Sequence, residues 1–93
     1  NRTAYILNNH YADIYGIDLD TCKNTFHANL SSVAGEVGRS MYSFAISPNG
    51  KEVYATVNPT QMLNDHYVVK PPRLEVFNTA DGLQAKPVRT APA

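Results

Sequence analysis

Apolar residues in this chain fall in short alternating bursts rather than in helical stripes. No stretch of twelve residues keeps an i, i+3, i+4 apolar face without a Gly, Pro or Asn interrupting it. What recurs is a run rich in Val, Ile, Tyr, Phe and Thr followed by a polar turn, the pattern of strands and hairpins. Thr3–Asn8 (TAYILN) and Asp13–Leu19 (DIYGIDL) read as strands, and a turn is expected over Asp20–Asn24. Thr25–Ser31 (TFHANLS) reads as a third strand, and Val33–Ser40, with Gly35 and Gly38, as a loop. Met41–Ser47 forms a strand that ends at Pro48-Asn49-Gly50, where Asn and Gly accept positive φ at little cost. Lys51–Asn58 returns as its partner. A long connection is expected over Pro59–Pro72, then a strand Arg73–Asn78 and a turn from Thr79 to Gly82. Lys86–Thr90 reads as an edge strand, since Pro87 cannot donate to a central ladder.

The bursts repeat. Thr3–Asn9 (TAYILNN) aligns with Glu52–Asn58 (EVYATVN) at an offset of 49, which sets Tyr5 over Tyr54 and Asn9 over Asn58. Asp13–Cys22 aligns with Arg73–Gly82 at an offset of 60, with Ile14 over Leu74, Ile17 over Phe77 and Asp18 over Asn78. The difference of eleven lies in one connection, which has three residues (His10–Ala12) in the first copy and fourteen (Pro59–Pro72) in the second. A four-stranded antiparallel unit recurring every ~40–50 residues is the pattern of a β-propeller blade.

The expected fold class is therefore all-β: two antiparallel four-stranded blades, one of them incomplete, of a β-propeller. Residues 1–32 supply the last three strands of one blade. Residues 41–93 supply the next, with a long loop at 59–72. A seven-stranded sandwich gives the same strand count without requiring the repeat, and a plain meander leaves both edges open. Two blades alone expose two apolar faces and two edges, so the 93 residues are not expected to fold as a stable monomer or to be the whole functional protein. The opening Asn1 in place of Met agrees with a processed product or a piece of a longer chain.

Composition narrows the function. Eight basic residues balance eight acidic ones, with no run of one sign longer than two, which argues against a nucleic-acid surface. The apolar bursts are too short for a membrane span or a signal-peptide core. Cys22 is the single cysteine and reads as an unpaired thiol beside a turn. Asn1-Arg2-Thr3 and Asn29-Leu30-Ser31 match the glycosylation sequon at a level expected by chance.

Of the three histidines, His10 and His66 fall on one rim, near Asp13 and Asp65, but without the close ligand spacing of a local metal motif. There is no nucleophile elbow and no Gly-rich phosphate loop. No catalytic, cofactor-binding or metal residue is assigned. The connections His10–Ala12, Val33–Ser40 and Pro59–Pro72 share one rim, and the tight turns share the other. Binding is expected on the long-loop rim, at Met62, Leu63, His66, Tyr67 and Val69. The competing reading has Tyr67 and Val69 merely tucking the loop onto the sheet.

SPNGKEVYATVN (Ser47–Asn58) followed by LEVFNTADG (Leu74–Gly82) resembles the repeat of the YVTN-type propellers. The insertion Asn64-Asp65-His66-Tyr67-Val68-Val69-Lys70-Pro71-Pro72-Arg73, running into the strand Leu74-Glu75-Val76-Phe77, resembles the propeller (β) subunit of quinohemoprotein amine dehydrogenase. The likeness is best from Met41 to Gly82 and covers about two blades; the small residues of Thr90–Ala93 depart from it. It implies a periplasmic complex that oxidatively deaminates primary amines. A small subunit would carry a tryptophylquinone and a dihaem cytochrome subunit haem c. The propeller subunit itself would hold no cofactor, packing against both and helping to wall the substrate cavity. A generic YVTN-type binding or surface propeller is the alternative, and a metal-dependent propeller lactonase a third.

Overall fold

The computed structural model describes residues 2–8, 13–30 and 35–92. His10, with the rest of the first rim connection, and Val33, with the start of the predicted loop, lie outside these residues. Eight strands are described: β1 (Thr3–Asn8), β2 (Asp13–Asp18), β3 (Lys23–Asn29), β4 (Glu36–Ile46), β5 (Glu52–Leu63), β6 (His66–Val69), β7 (Arg73–Asn78) and β8 (Arg89–Pro92). They form two antiparallel sheets. Sheet A has the order β1-β2-β3, and sheet B the order β4-β5-β7-β8 with β6 paired to β5.

The repeat seen in the sequence is a repeat of register. In sheet A, Thr3 pairs with Asp18, Tyr5 with Gly16 and Asn8 with Asp13. In sheet B, Glu52 pairs with Asn78, Tyr54 with Val76 and Val57 with Arg73. Offsets of 49 on one strand and 60 on the other carry each pair of the first set onto one of the second. β3 and β8 follow suit: Tyr15 pairs with His27 as Glu75 pairs with Thr90. β1-β2-β3 and β5-β7-β8 are therefore the same three-stranded unit, and β4 adds a strand to the free edge of the second.

The two sheets meet through one apolar core. Sheet A contributes Tyr5, Leu7, Ile14, Phe26, Ala28 and Leu30, and sheet B contributes Met41, Phe44, Ile46, Val53, Ala55, Val57 and Phe77. Because side chains alternate along a strand, these sets come from opposite faces of the repeated unit. Tyr5 and Ile14 correspond to Tyr54 and Leu74, which lie on the side of sheet B away from sheet A. Val53, Ala55 and Phe77 correspond to Ala4, Ile6 and Ile17, on the far side of sheet A. The sheets are stacked head to tail, front on back, and not front on front.

Gly16 shows how tightly the first sheet is packed. It is buried in β2, where the register with β3 shifts between Gly16 and Ile17. Tyr5 and Phe26 close over it edge to face, ring centroids 5.9 Å apart. A Cβ at this position would stand 2.9 Å from Phe26 Cβ and 3.1 Å from Tyr5 Cε1. Gly16→Ala is expected to destabilise by about 1–3 kcal/mol through overpacking, seen as a lower urea midpoint. An unchanged midpoint would mean that both aromatic side chains yield freely.

Four expectations are corrected. The predicted loop over Val33–Ser40 is strand from Glu36 onward, and Gly38 sits within β4. Register shifts at Glu36/Gly38 and Met41/Ser43 let the strand take up irregular residues without losing its partner. The predicted long connection Pro59–Pro72 is mostly a hairpin: β5 runs through Pro59 to Leu63 and β6 returns beside it. The edge strand predicted at Lys86–Thr90 begins later, at Arg89, beyond Pro87. The turn expected after Asn78 is a 3-10 segment, Thr79–Gln84, broken at Gly82, whose φ of 70° and ψ of −135° are non-helical.

Candidate functional site

The β5–β6 hairpin is built from the inserted residues. Asn64 and Asp65 take φ of 48° and 65°, which gives a two-residue turn with both central residues left-handed. Leu63 pairs with His66, Met62 with Tyr67, Gln61 with Val68 and Thr60 with Val69. The pairing ends where Lys70 N–H donates to Pro59 O at 2.9 Å. β6 and β7 then lie one after the other along the same edge of β5, while β4 follows the other edge only as far as the Glu36–Gln61 pair. The tip beyond Gln61 is a two-stranded arm.

The arm is apolar and open to solvent. Tyr67 is 70% exposed and Val69 71%, and Met62, Leu63 and Val68 are also exposed. Met62, Tyr67, Thr60 and Val69 share one face, and it continues the side of sheet B away from sheet A. Leu63, His66, Gln61 and Val68 share the other. Tyr67 and Val69 do not tuck the segment onto the sheet. All five residues predicted for binding are therefore on this arm, divided between its faces.

A buried ionic cluster holds the root of the arm. Arg73, the first residue of β7, donates from Nη1 to Glu36 Oε2 at 2.6 Å and from Nη2 to Glu36 Oε1 at 3.1 Å. Its Nε donates to Glu75 Oε2 at 2.7 Å. Glu75 is fully buried. The Glu36 bond, with Glu75 assisting, pushes the Arg73 guanidinium above its ordinary range against the opposing effect of burial. The cluster ties the end of the hairpin to the start of β4. Charge pairing of this kind was not part of the sequence expectation; the only trace of it is the alternation Arg73-Leu74-Glu75, which sets both charges on one face of a strand.

The opposite rim carries a cleft of about 680 Å3 between the sheets. The Ile46–Gly50 segment, with Thr79 and Ala80, forms one wall. Ser47 Oγ donates to Asn49 Oδ1 at 2.7 Å, Lys51 N–H donates to the same oxygen, and Gly50 takes φ of 73°. Thr3, Tyr5, Thr25 and Phe26 form the other wall. Burial raises the Tyr5 phenol above its usual range.

On the outside of sheet B, Glu52 accepts from Tyr54 Oη at 2.8 Å and pairs with Arg89 at 3.0 Å. The Arg89 bond, followed by that from Tyr54, lowers the Glu52 carboxyl. Of the residues weighed for metal, His66 is exposed on the arm, and Asp13 bonds to His27. Among the described residues no three His, Cys, Asp or Glu side chains form a metal-holding group. Cys22 is a free, exposed thiol. No described helix is long and apolar enough to cross a membrane. No protein-family model matches the chain, and a search of curated proteins finds no match either.

Proposed function

We propose that this chain is a two-blade portion of a β-propeller whose role is to dock partner subunits, in a periplasmic complex of the quinohemoprotein amine dehydrogenase type. The observation that carries the propeller reading is the head-to-tail stacking of two units with matching registers. An interface of this kind uses different patches on its two sides, so it leaves each outer face ready for another copy and must close into a ring or run on. A front-on-front sandwich of the same strands would leave no such faces. Seven blades is the ring size that the resemblance implies.

The docking role rests on the arm. Five large apolar side chains stand in solvent on a hairpin whose root is fixed by buried charge, and large exposed apolar patches mark interaction sites. The amine dehydrogenase reading rests on the insertion Asn64–Arg73, which occupies the place between the Ser-Pro-Asn-Gly-Lys hairpin and the next strand where that subunit carries its own. In this reading the quinone and haem c belong to partner subunits, and this chain walls the substrate cavity without entering the chemistry.

The test is the denaturing intact mass of the protein purified from its native source, recorded with its visible spectrum. A mass several-fold above that of 93 residues, with co-purifying haem and quinone bands, is the expected result. A colourless preparation would sink the amine dehydrogenase reading and leave a binding propeller without redox partners.

A further inference from the structure

The far side of sheet A carries a histidine held more firmly than a surface residue requires. His27 donates from Nε2 to Asp13 Oδ2 at 2.9 Å. Asp13 is 4% exposed, and its second oxygen is buried without a partner among the described residues. The imidazole also stacks on Tyr15, with centroids 4.5 Å apart and planes 9° from parallel. A carboxylate on one nitrogen and a ring on one face fix its orientation, so Nδ1 is left as the working atom.

Next to the imidazole is a hollow of about 380 Å3, walled by His27, Asn29, Leu83, Gln84, Ala85 and Lys86. The backbone creates it. Ala85 N–H donates to His27 O at 2.9 Å and Asn29 N–H to Ala85 O at 3.4 Å, which brings the segment after the 3-10 turns alongside β3. The polar side chains on the wall are an imidazole, two carboxamides and an ammonium. All of them can donate hydrogen bonds, and no carboxylate is on the wall; Asp13 stands behind the ring.

We propose that this hollow binds the oxyanion group, phosphate or carboxylate, of a small ligand. Lys86 supplies the charge, Asn29 and Gln84 supply amide donors, and charge-assisted bonds of this type are the strong ones. Nδ1 of His27 adapts to the ligand. It accepts from a protonated phosphate or carboxyl oxygen when the ring is neutral and donates to an ionised one when the ring is charged. The inference goes beyond the docking role and does not depend on it. The register repeat also keeps the site open. Thr90 and Pro92 hold the places of His27 and Asn29 on the side of sheet B that sheet A covers, and both remain exposed. A further sheet stacked on sheet A in the same way would leave the hollow accessible.

Isothermal titration calorimetry of the purified protein, in the assembly in which it is isolated, tests the site with inorganic phosphate and, separately, with acetate. One binding event per chain is expected for at least one probe, and the tighter probe identifies the group. Lys86→Ala removes an exposed side chain outside the core and is expected to weaken binding about tenfold, with His27→Gln having a similar effect. Absence of binding by both probes in the millimolar range would overturn the proposal. So would binding that Lys86→Ala leaves unchanged, because it would then lie elsewhere on the surface.

Discussion

Replacing Arg73 by methionine is expected to destabilise the protein by about 3–5 kcal/mol, the cost of leaving buried charge uncompensated. Glu75 is wholly buried and the Glu36 side chain only 8% exposed, so neither carboxylate can recover its hydration when the guanidinium goes. Arg73 itself is 17% exposed, so solvent screens the cluster little. The single substitution removes the bonds to both oxygens of Glu36 and to Glu75 along with the charge. Urea unfolding of the purified protein reads the effect. Adding Glu36→Met and Glu75→Leu to Arg73→Met is expected to restore much of the loss, since an apolar cluster of similar volume replaces a buried ionic one at little net cost. A loss below about 1 kcal/mol for Arg73→Met would place the cluster among solvent-screened surface pairs.

The second large effect is on binding. Met62→Ser, Tyr67→Ser and Val69→Ser together remove the apolar face of the arm that continues sheet B. None of the three side chains is buried, so stability should change by no more than about 0.5 kcal/mol per site. If a partner buries them, each contributes about 1.5–3 kcal/mol on docking, and the triple variant should lose at least about a hundredfold in affinity. Retention of partners on size-exclusion chromatography, followed by a titration, measures the loss. Undiminished affinity would move the docking surface off this arm. Leu63→Ser with His66→Ser on the opposite face serves as the comparison, showing which side of the arm the partner covers.

Much of the architecture was readable from residue order. TAYILN and RLEVFN coincide with β1 and β7 to the residue, because each is a β-rich run with a polar boundary at both ends. The offsets of 49 and 60 anticipated the registers of both sheets, since the same alternation of residues between the two faces of each strand recurs in both units. The hairpin was hidden. Pro59, Pro71 and Pro72 signal a loop, and Asn64-Asp65, whose two left-handed residues make the turn, carries no glycine to mark it. Pro59 is tolerated in β5, where the Lys70 amide reaches its carbonyl.

The exposure of Met62, Leu63, His66, Tyr67 and Val69 was legible because they lie in a long insertion on a paired scaffold, where little of the sheet remains to cover them. The charged groups were not legible. Glu36 and Arg73 are 37 residues apart, and Asp13 and His27 are 14 apart; both pairs exist only once the sheets are in register. Asp13 is closer in sequence to His10, which is what drew the reading there.

Every pairing between the described strands joins neighbours or near neighbours in the sequence, so each sheet can form as its own residues leave the ribosome. Sheet A would be made first, with Ile14 and Phe26 bare to water until Val53 and Phe77 arrive to cover them. The last step is set by Ala85. Its two backbone bonds to β3 close the outer edge of a sheet that was finished more than fifty residues earlier. Translation that slows between Asn29 and Ala85 would prolong the interval in which that edge and that face are bare, and with it the chance of pairing with another nascent chain.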